Sequence, residues 1–431
     1  MSFKPTQKLE VSRTLSTGRK VKVGTLAQNS QSVFFQYAQD YLQTFGNLSL
    51  FTLKASNVLQ MAPKSPHAGL HGVFADSLPD GWGLLLQDRV FRQHGILPAQ
   101  ITAMDRLAFV GQTAMGALSY SPESVYAKSV QGETSLDQLG LQAQALFDDQ
   151  TEEVLAELIV AGSSAGARPK AQIYIASEQT KTCRTQPEPG DEAWLVKFTS
   201  ANLALGHEEG LCEAVYLTLA ENANLKPPQW QLLEAPKQSG ASHWLALKRF
   251  DRLSSHSSSK TSGRLHMHTA CGLLDADFRS PSLDYEDLIK ASRTLCKSPA
   301  VGQLQFRRAM FNLFACNQDD HSKNWAFLQD DSGNWQPAPF YDITFSPHPF
   351  GEQSTSFAGF GKKPPAKAIQ QLATAAGFVK WPHAQEVIKE VVECIANIKP
   401  AAQSLGVKSE TIRLIEKQLN QTWQDNKHLL D

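Results

Sequence analysis

No stretch of this chain approaches the roughly 20 consecutive apolar residues needed to cross a bilayer, and its start lacks the apolar core of a secretion signal. A membrane-spanning or secreted protein is therefore not expected. Cysteine is scarce: six in 431 residues, at 183, 212, 271, 296, 316 and 394, with no pair at CxxC spacing. That leaves no basis for a disulfide framework or a thiolate zinc site. Several lie in apolar helical surroundings and read as small core residues, and a reducing cytoplasm fits. Net charge is also missing. Lys+Arg number 41 against 42 Asp+Glu, for a net −1, so the molecule casts no strong field toward nucleic acid or membrane. The one local excess, Lys4, Lys8, Arg13, Arg19, Lys20 and Lys22 against Glu10, reads as a solvated terminus rather than a phosphate-binding arm.

A chain of 431 residues is longer than one compact core ordinarily takes, so two or three subdomains are expected. Residues 20–54 mix short β-like runs with the polar segment Gln28-Asn29-Ser30-Gln31-Ser32. Phe74-Ala75-Asp76-Ser77-Leu78-Pro79-Asp80-Gly81-Trp82-Gly83 reads as a turn into a helix on which Leu84, Leu85, Val90 and Phe91 are the apolar positions. A second helix and then a strand are predicted over 96–120, and the polar, helix-prone 121–150 as a link to the rest. Beyond it the pattern becomes that of strands, at 171–177, 193–198 and 243–250. The Ser-rich stretch 254–263 interrupts them as an exposed loop. From 282 onward helices are predicted over 283–296, 302–316, 364–376 and 383–430. Strands followed by helices are the order of an α+β chain with two lobes, divided at 1–125, 126–250 and 251–431.

The candidate chemistry centres on Asn317-Gln318-Asp319-Asp320-His321-Ser322-Lys323-Asn324. Asp319 and Asn324 have the Asp-x-x-x-x-Asn spacing that in protein kinases sets an aspartate beside the acceptor hydroxyl and an amide oxygen on Mg²⁺. The aspartate can take the hydroxyl proton, the amide is a hard neutral donor, and Lys323 between them can neutralise phosphate charge. Taken alone the spacing is common, and a polar loop after a helix is the plainer reading. The residues downstream change that weight. Segments 325–328 and 335–341 read as a hairpin around an Asp-Ser-Gly turn, and it leads into Phe340-Tyr341-Asp342-Ile343-Thr344. Catalytic loop, hairpin, metal-binding aspartate is the order of a protein kinase, with Asp342 in the place of the Mg²⁺-binding aspartate.

Upstream, the small residues of Ala161-Gly162-Ser163-Ser164-Ala165-Gly166-Ala167-Arg168-Pro169-Lys170 would let backbone amides approach phosphate closely, although a plain Gly/Ser turn fits as well. Lys197, near the end of an apolar strand, is placed like the lysine that pairs with α- and β-phosphates, but read alone it is a solvent-facing strand lysine. The helix 208–224 offers Glu208, Glu209 and Glu213 as its partners, with Glu213 best placed relative to Val215, Leu217 and Leu219. The strand ending in Lys248-Arg249-Phe250 serves equally as a hinge whose backbone reads an adenine edge or as an ordinary core strand.

Together these segments resemble the HipA family, kinase toxins of bacterial type II toxin–antitoxin modules. The resemblance rests on Ser-Ser-Ala-Gly-Ala-Arg-Pro-Lys, the strand lysine, Lys-Arg-Phe-Asp-Arg, Asp-x-His-Ser-Lys-Asn and Tyr-Asp-Ile in this order, and on Phe-x-Asp-Ser-Leu-Pro-Asp-Gly at 74–81. It runs from about residue 20 to beyond 345. It implies a two-lobed, protein-kinase-like fold with a β-containing N-terminal subdomain and an all-helical C-terminal lobe. It implies Asp319 as the catalytic aspartate and Asn324 and Asp342 as Mg²⁺ ligands. Ala165, Gly166, Ala167, Arg168, Pro169 and Lys170 would form the phosphate loop and Lys197 would contact phosphate. Lys248, Arg249 and Phe250 would form the hinge, and His321, Ser322, Lys323, Asn324 and Tyr341 would line the ATP site. Inhibitory autophosphorylation is implied on Ser163, with Ser164 the competitor. The implied partners are a HipB-like helix-turn-helix antitoxin dimer, operator DNA mainly through it, and a protein substrate of the translation machinery, typically an aminoacyl-tRNA synthetase, in the bacterial cytoplasm.

The segment Arg264–Ala270 lacks the Gln and acidic residues expected after the hinge-side histidine, which leaves its polar network open. Two other readings stand beside the toxin kinase: a small-molecule kinase on a related scaffold, and an inactive regulator that only binds antitoxin and DNA.

Overall fold

A computed structural model describes residues 3–127, 132–162, 166–176, 181–253 and 262–431. Ser163, Ser164 and Ala165, like 254–261 of the Ser-rich stretch, lie outside the described residues.

Strands β1 (Lys8–Thr14), β2 (Lys20–Gln28), β3 (Val33–Tyr37), β4 (Gln60–Met61) and β5 (Leu118–Ser121) form an antiparallel sheet in the order β4-β3-β2-β1-β5. Alternation sets one face inward: Leu9 and Val11 are buried with Phe35, Phe74 and Leu107. Of the basic N-terminal residues, Lys4, Lys8, Arg19, Lys20 and Lys22 are exposed, as a solvated terminus predicts, and Arg13 is the exception. Arg13 is fully buried. It donates to Tyr41 Oη at 3.1 Å, to Gln329 Oε1 at 3.0 Å, and to the carbonyl oxygens of Gln329 and Asp330 at 3.2 and 2.8 Å. A guanidinium stays in an interior only with such acceptors, and all but Tyr41 come from the C-terminal lobe.

A second sheet follows: β6 (Glu133–Ser135), β7 (Lys170–Ala176), β8 (Thr182–Arg184), β9 (Asp191–Lys197), β10 (Trp230–Glu234) and β11 (His243–Lys248), ordered β10-β11-β9-β7-β8-β6. Residues 121–150 are more than a link. Leu136–Phe147 is a helix whose Leu136, Leu139, Ala143 and Leu146 are buried in this lobe's core with Trp244. Their helical spacing puts all four on one face. Register decides the chemistry, for Lys197 of β9 lies opposite Lys170 of β7 on one side and Leu245 of β11 on the other. The helix Glu209–Asn222 packs against β11 and is buried on nearly every side.

The C-terminal lobe is built on the helices Tyr285–Cys296, Pro299–Phe314, Ala366–Ala376, Trp381–Ile395, Ile398–Ser404 and Ser409–Asn426, which share the largest core. The helix predicted over 383–430 is three. The chain breaks at Asn397 and again at Gly406, whose φ is 78°, and Pro400 sits in a first turn, where its missing N–H costs nothing. Within this lobe β12 (His266–Thr269), β13 (Leu283–Asp284), β14 (Ala326–Gln329), β15 (Trp335–Pro337) and β16 (Thr355–Ser356) follow in sequence. The order β12-β14-β15 makes a three-stranded sheet that includes the expected hairpin, and β13 pairs parallel with β16. The run 317–324 enters this hairpin and Asp342 follows it. Among the described residues no helix is long and apolar enough to cross a membrane.

Candidate active site

The lobes enclose a cavity of about 480 Å³, lined among others by Lys170, Lys197, Asp319, Lys323, Asn324 and Asp342. Lys197 is its centre. The strand carries this lysine into the interior, where its Nζ lies 2.7 and 2.8 Å from the Glu213 oxygens and 2.5 Å from Asp342 Oδ1. Of the three glutamates on the helix, Glu213 is the partner. Glu209 pairs with Arg168 at 3.1 Å, and Glu208 accepts from Lys408 N–H and Thr411 of the C-terminal helix. Burial pulls the Lys197 ammonium down, but the Asp342 and Glu213 carboxylates outweigh it and hold its pKa above the ordinary value. Burial likewise opposes charge on Asp342, yet Lys197, Lys170 and Arg168 hold its carboxyl well below the usual carboxylate range. Asp342 is thus ionised, on a backbone with φ 56° that Asp and Asn tolerate better than most residues.

Gly166 to Lys170 run along the mouth of this cavity. Gly166 has φ 102°, a conformation that side-chain-bearing residues rarely adopt, and a Cβ there would displace the Lys170 ammonium. Burial drives Lys170 down to about 8; Lys197 and Arg168 add to this while Asp342 and Asp80 oppose it. Arg168, Lys170, Lys197 and Lys323 line one cavity, a set suited to a polyphosphate.

The run 317–324 divides its two adjacent aspartates. The Asp319 side chain is 67% exposed to the cavity, with His321 Nε2 3.9 Å from its carboxylate. Asp320 points inward. It accepts from the Tyr285 hydroxyl and from the Ser354 and Thr355 amides, the last two at 2.7 and 3.2 Å, and burial raises its carboxyl to about 7. Asp320 anchors the loop that presents Asp319. Asn324 donates its Nδ2 to the Asp319 carbonyl at 2.7 Å, which leaves its amide oxygen as the atom to face a ligand. Tyr341 donates to the Lys323 carbonyl at 2.6 Å, and its ring lies 5.5 Å from that of Phe250. Ser322 is buried beneath the loop.

The hinge segment behaves unevenly. The Lys248 and Arg249 amides donate to the Gln229 and Ala193 carbonyls at 2.8 and 2.9 Å. The Arg249 guanidinium is taken up by Asp251, Gln172 and the Ala114 carbonyl. Lys248 pairs with Glu192 at 2.5 Å. The Arg249 side chain is thus part of a buried polar network.

Sequence reasoning missed several residues that the fold brings here. Asp80, Gly81 and Met115 of the N-terminal domain line the cavity, as do Phe278 and Arg279. Asp80 was legible only as part of a turn into a helix and of the family segment at 74–81. The polar network left open at Arg264–Ala270 is completed from the N-terminal domain: Asp76 accepts from the Thr269 amide and hydroxyl at 2.7 and 2.6 Å and pairs with His268 Nδ1 at 2.6 Å. Gly72 and Gly272 lie so close beside this pair that neither has room for a Cβ.

The arrangement is that of a two-lobed phosphotransferase scaffold. A family model for the HipA-like C-terminal domain matches residues 162–398, and one for the HipA N-terminal domain matches 18–121. The chain belongs to the HipA family. It resembles a chain in the structure of the Shewanella oneidensis MR-1 toxin–antitoxin system HipA, HipB and its operator DNA complex, with a TM-score of 0.70, 15% identity and 98% of each chain covered. At that identity the likeness speaks for the fold alone. A slighter likeness, with a TM-score of 0.32 and 12% identity, covers 54% of this chain and 94% of the Helicobacter pylori proinflammatory kinase CtkA. No curated protein matches the chain.

Proposed function

We propose that this HipA-family chain is a toxin-type protein serine/threonine kinase that uses ATP and Mg²⁺. The observation that carries the reading is the joint placement of Lys197, ion-paired to both Glu213 and Asp342, with Asp319 and Asn324 in one cavity. The donors fit Mg²⁺: an ionised Asp342 and an amide oxygen of Asn324 are hard ligands of the kind that would hold it. When bound, Mg²⁺ would neutralise phosphate charge and help orient the transferred group.

The chain's own residues do the rest. Lys197, held by Glu213, meets the α- and β-phosphates, while Lys170, the Arg168 guanidinium and the Ala167 and Arg168 amides face the remaining phosphate oxygens. Asp319 accepts the proton of the acceptor hydroxyl as that oxygen bonds to the γ-phosphorus. The bond from that phosphorus to the β-phosphate oxygen breaks, and ADP leaves with its electron pair.

The first acceptor is Ser163, or Ser164 beside it, at the head of the phosphate loop. A phosphate there adds about −1.5 to −2 charges, which repel the ATP phosphates and make the modification inhibitory. The external substrate is a component of translation, such as an aminoacyl-tRNA synthetase. A HipB-like helix-turn-helix antitoxin dimer restrains the kinase and supplies most of the DNA contact. The net charge of −1 suits that division, and the similar Shewanella chain comes from a complex with HipB and operator DNA.

Mass spectrometry of the purified protein after incubation with Mg-ATP tests the reading. A phosphate on Ser163 or Ser164 that is absent from Asp319→Ala is expected. An unmodified wild type that hydrolyses or transfers phosphate only to small molecules would replace it with the small-molecule kinase.

A further inference from the structure

Three consecutive residues of the N-terminal domain grip the phosphate loop. Asp80 accepts the Gly166 N–H with one oxygen and the Lys323 ammonium with the other, the latter at 2.5 Å. The Trp82 amide donates to the Gly166 carbonyl at 2.9 Å, and its indole N–H to the Lys170 carbonyl at 2.9 Å. Between them Gly81, with φ 41°, lies against the loop so closely that a Cβ would stand 2.7 Å from Ala167 Cα. Both ends of Gly166–Lys170 are therefore held from outside the two kinase lobes. The lysine of the Asp-x-His-Ser-Lys-Asn run is held with them.

The bonding of Asp80 is unusual for its position. It is the N-cap of the helix Gly81–Gln93, where an aspartate normally accepts from its own helix's first amides. It makes no such bond, so both oxygens serve the site. Burial disfavours its charge, but Lys323 and the Gly166 amide outweigh that and keep its carboxyl below the ordinary value. Lys323 is steadied on its other side by the Phe278 ring, 4.0 Å away.

Resting on the nucleotide site proposed above, we infer that Asp80 is a positioning residue for phosphoryl transfer, setting the phosphate-loop amides and the Lys323 ammonium at a fixed separation so that both meet one polyphosphate. The N-terminal domain is then part of the kinase site. A contrary effect has the opposite sign: a carboxylate so near the phosphates would repel them, and its removal would tighten binding. With both oxygens turned to donors, positioning outweighs repulsion.

The test compares full-length wild type, Asp80→Ala and Asp80→Asn in three measurements. These are calorimetric Kd for Mg-ATP, amide hydrogen exchange over 166–170 without nucleotide, and thermal unfolding. Asp80→Ala should bind Mg-ATP about tenfold or more weakly, the worth of a hydrogen bond to a charged group, and its loop amides should exchange faster. Asp80→Asn, whose amide oxygen still accepts the Gly166 N–H, should keep loop protection and bind with intermediate affinity. Tighter or unchanged binding by Asp80→Ala with unchanged loop exchange overturns the inference. A lowered melting temperature with both other readouts unchanged makes Asp80 merely structural and also overturns it. If Asp80→Ala does not fold, the affinity of Asp80→Asn decides, and an unweakened value is contrary. Failure of the wild type itself to bind Mg-ATP refutes the nucleotide site instead, and the exchange measured without nucleotide still judges the Asp80 anchor.

Discussion

Replacing Lys197 with methionine keeps the stem of the side chain and removes its charge. Glu213, only 1% exposed, then loses both of its short ion-pair contacts at 2.7 and 2.8 Å. Asp342 is partly exposed and re-solvates, so its share of the loss is small. Stranding a buried charge costs about 3 kcal/mol or more, which for a domain of this size lowers the melting temperature by roughly 5 °C. The pH dependence has a definite sign. Burial already pushes the Glu213 carboxyl up, against Lys197, and without that lysine its folded pKa stands further above the unfolded value of about 4.3. The folded variant then takes up a proton that the unfolded chain does not hold. Its deficit is full above the folded pKa and shrinks as pH falls toward about 4. Thermal unfolding of wild type, Lys197→Met and Lys197→Met/Glu213→Gln at about pH 7.5 and 5.5 checks this. The double variant should recover most of the loss, because no charge is left stranded. A Lys197→Met protein that melts with wild type at the higher pH, or a larger deficit at the lower pH, would refute the reasoning.

Asp342→Asn should fold, since asparagine accepts the same left-handed backbone, with φ 56°, yet phosphoryl transfer should fall on the order of a hundredfold or more with a metal ligand gone; unfolding at ordinary temperature would show that Asp342 is structural. Mg-ATP affinity should fall as pH rises past about 8, the value to which burial lowers Lys170, because binding polyphosphate must then take up a proton. The slope reaches at most about tenfold per unit, and Lys170→Arg should flatten it; an unchanged slope contradicts the placement of Lys170. Asp320, raised to about 7 by burial, takes up a proton on folding, so stability should decline as pH rises from about 4 to 7. A denaturation series on Asp320→Asn should lose that decline, and an identical pH profile would mean that Asp320 stays ionised.

What the sequence disclosed follows from locality. The run 317–324, the hairpin and Asp342 lie within one short segment whose spacing is preserved in the fold, so their convergence could be read in one dimension. Glu213 was legible because helix periodicity fixes a face, whereas Lys197, read alone as a solvent-facing strand lysine, is buried and was legible only through its place in the kinase pattern. The remaining features depend on register and long-range packing. Nothing in the order of residues says that Lys170 lies opposite Lys197. Arg13, read as part of a solvated terminus, is buried because its acceptors are at 41, 329 and 330. Residues 121–150 look polar, yet Leu136, Leu139, Ala143 and Leu146 form a single apolar face. Asp80 shows the limit most clearly, since an aspartate before a glycine at a helix start already has an adequate local explanation. The Arg249 guanidinium, assigned to a hinge, is drawn into a buried network by Asp251, two residues on.

The central claim is that this cavity transfers the γ-phosphoryl group of ATP, and γ-labelled ATP measures that directly. Purified wild-type protein with Mg²⁺ should acquire protein-bound label, while Asp319→Ala, folded and with its loop anchored by Asp320 as before, should acquire none. Equal labelling of the two proteins, or no labelling and no release of labelled phosphate by the wild type, would contradict the account.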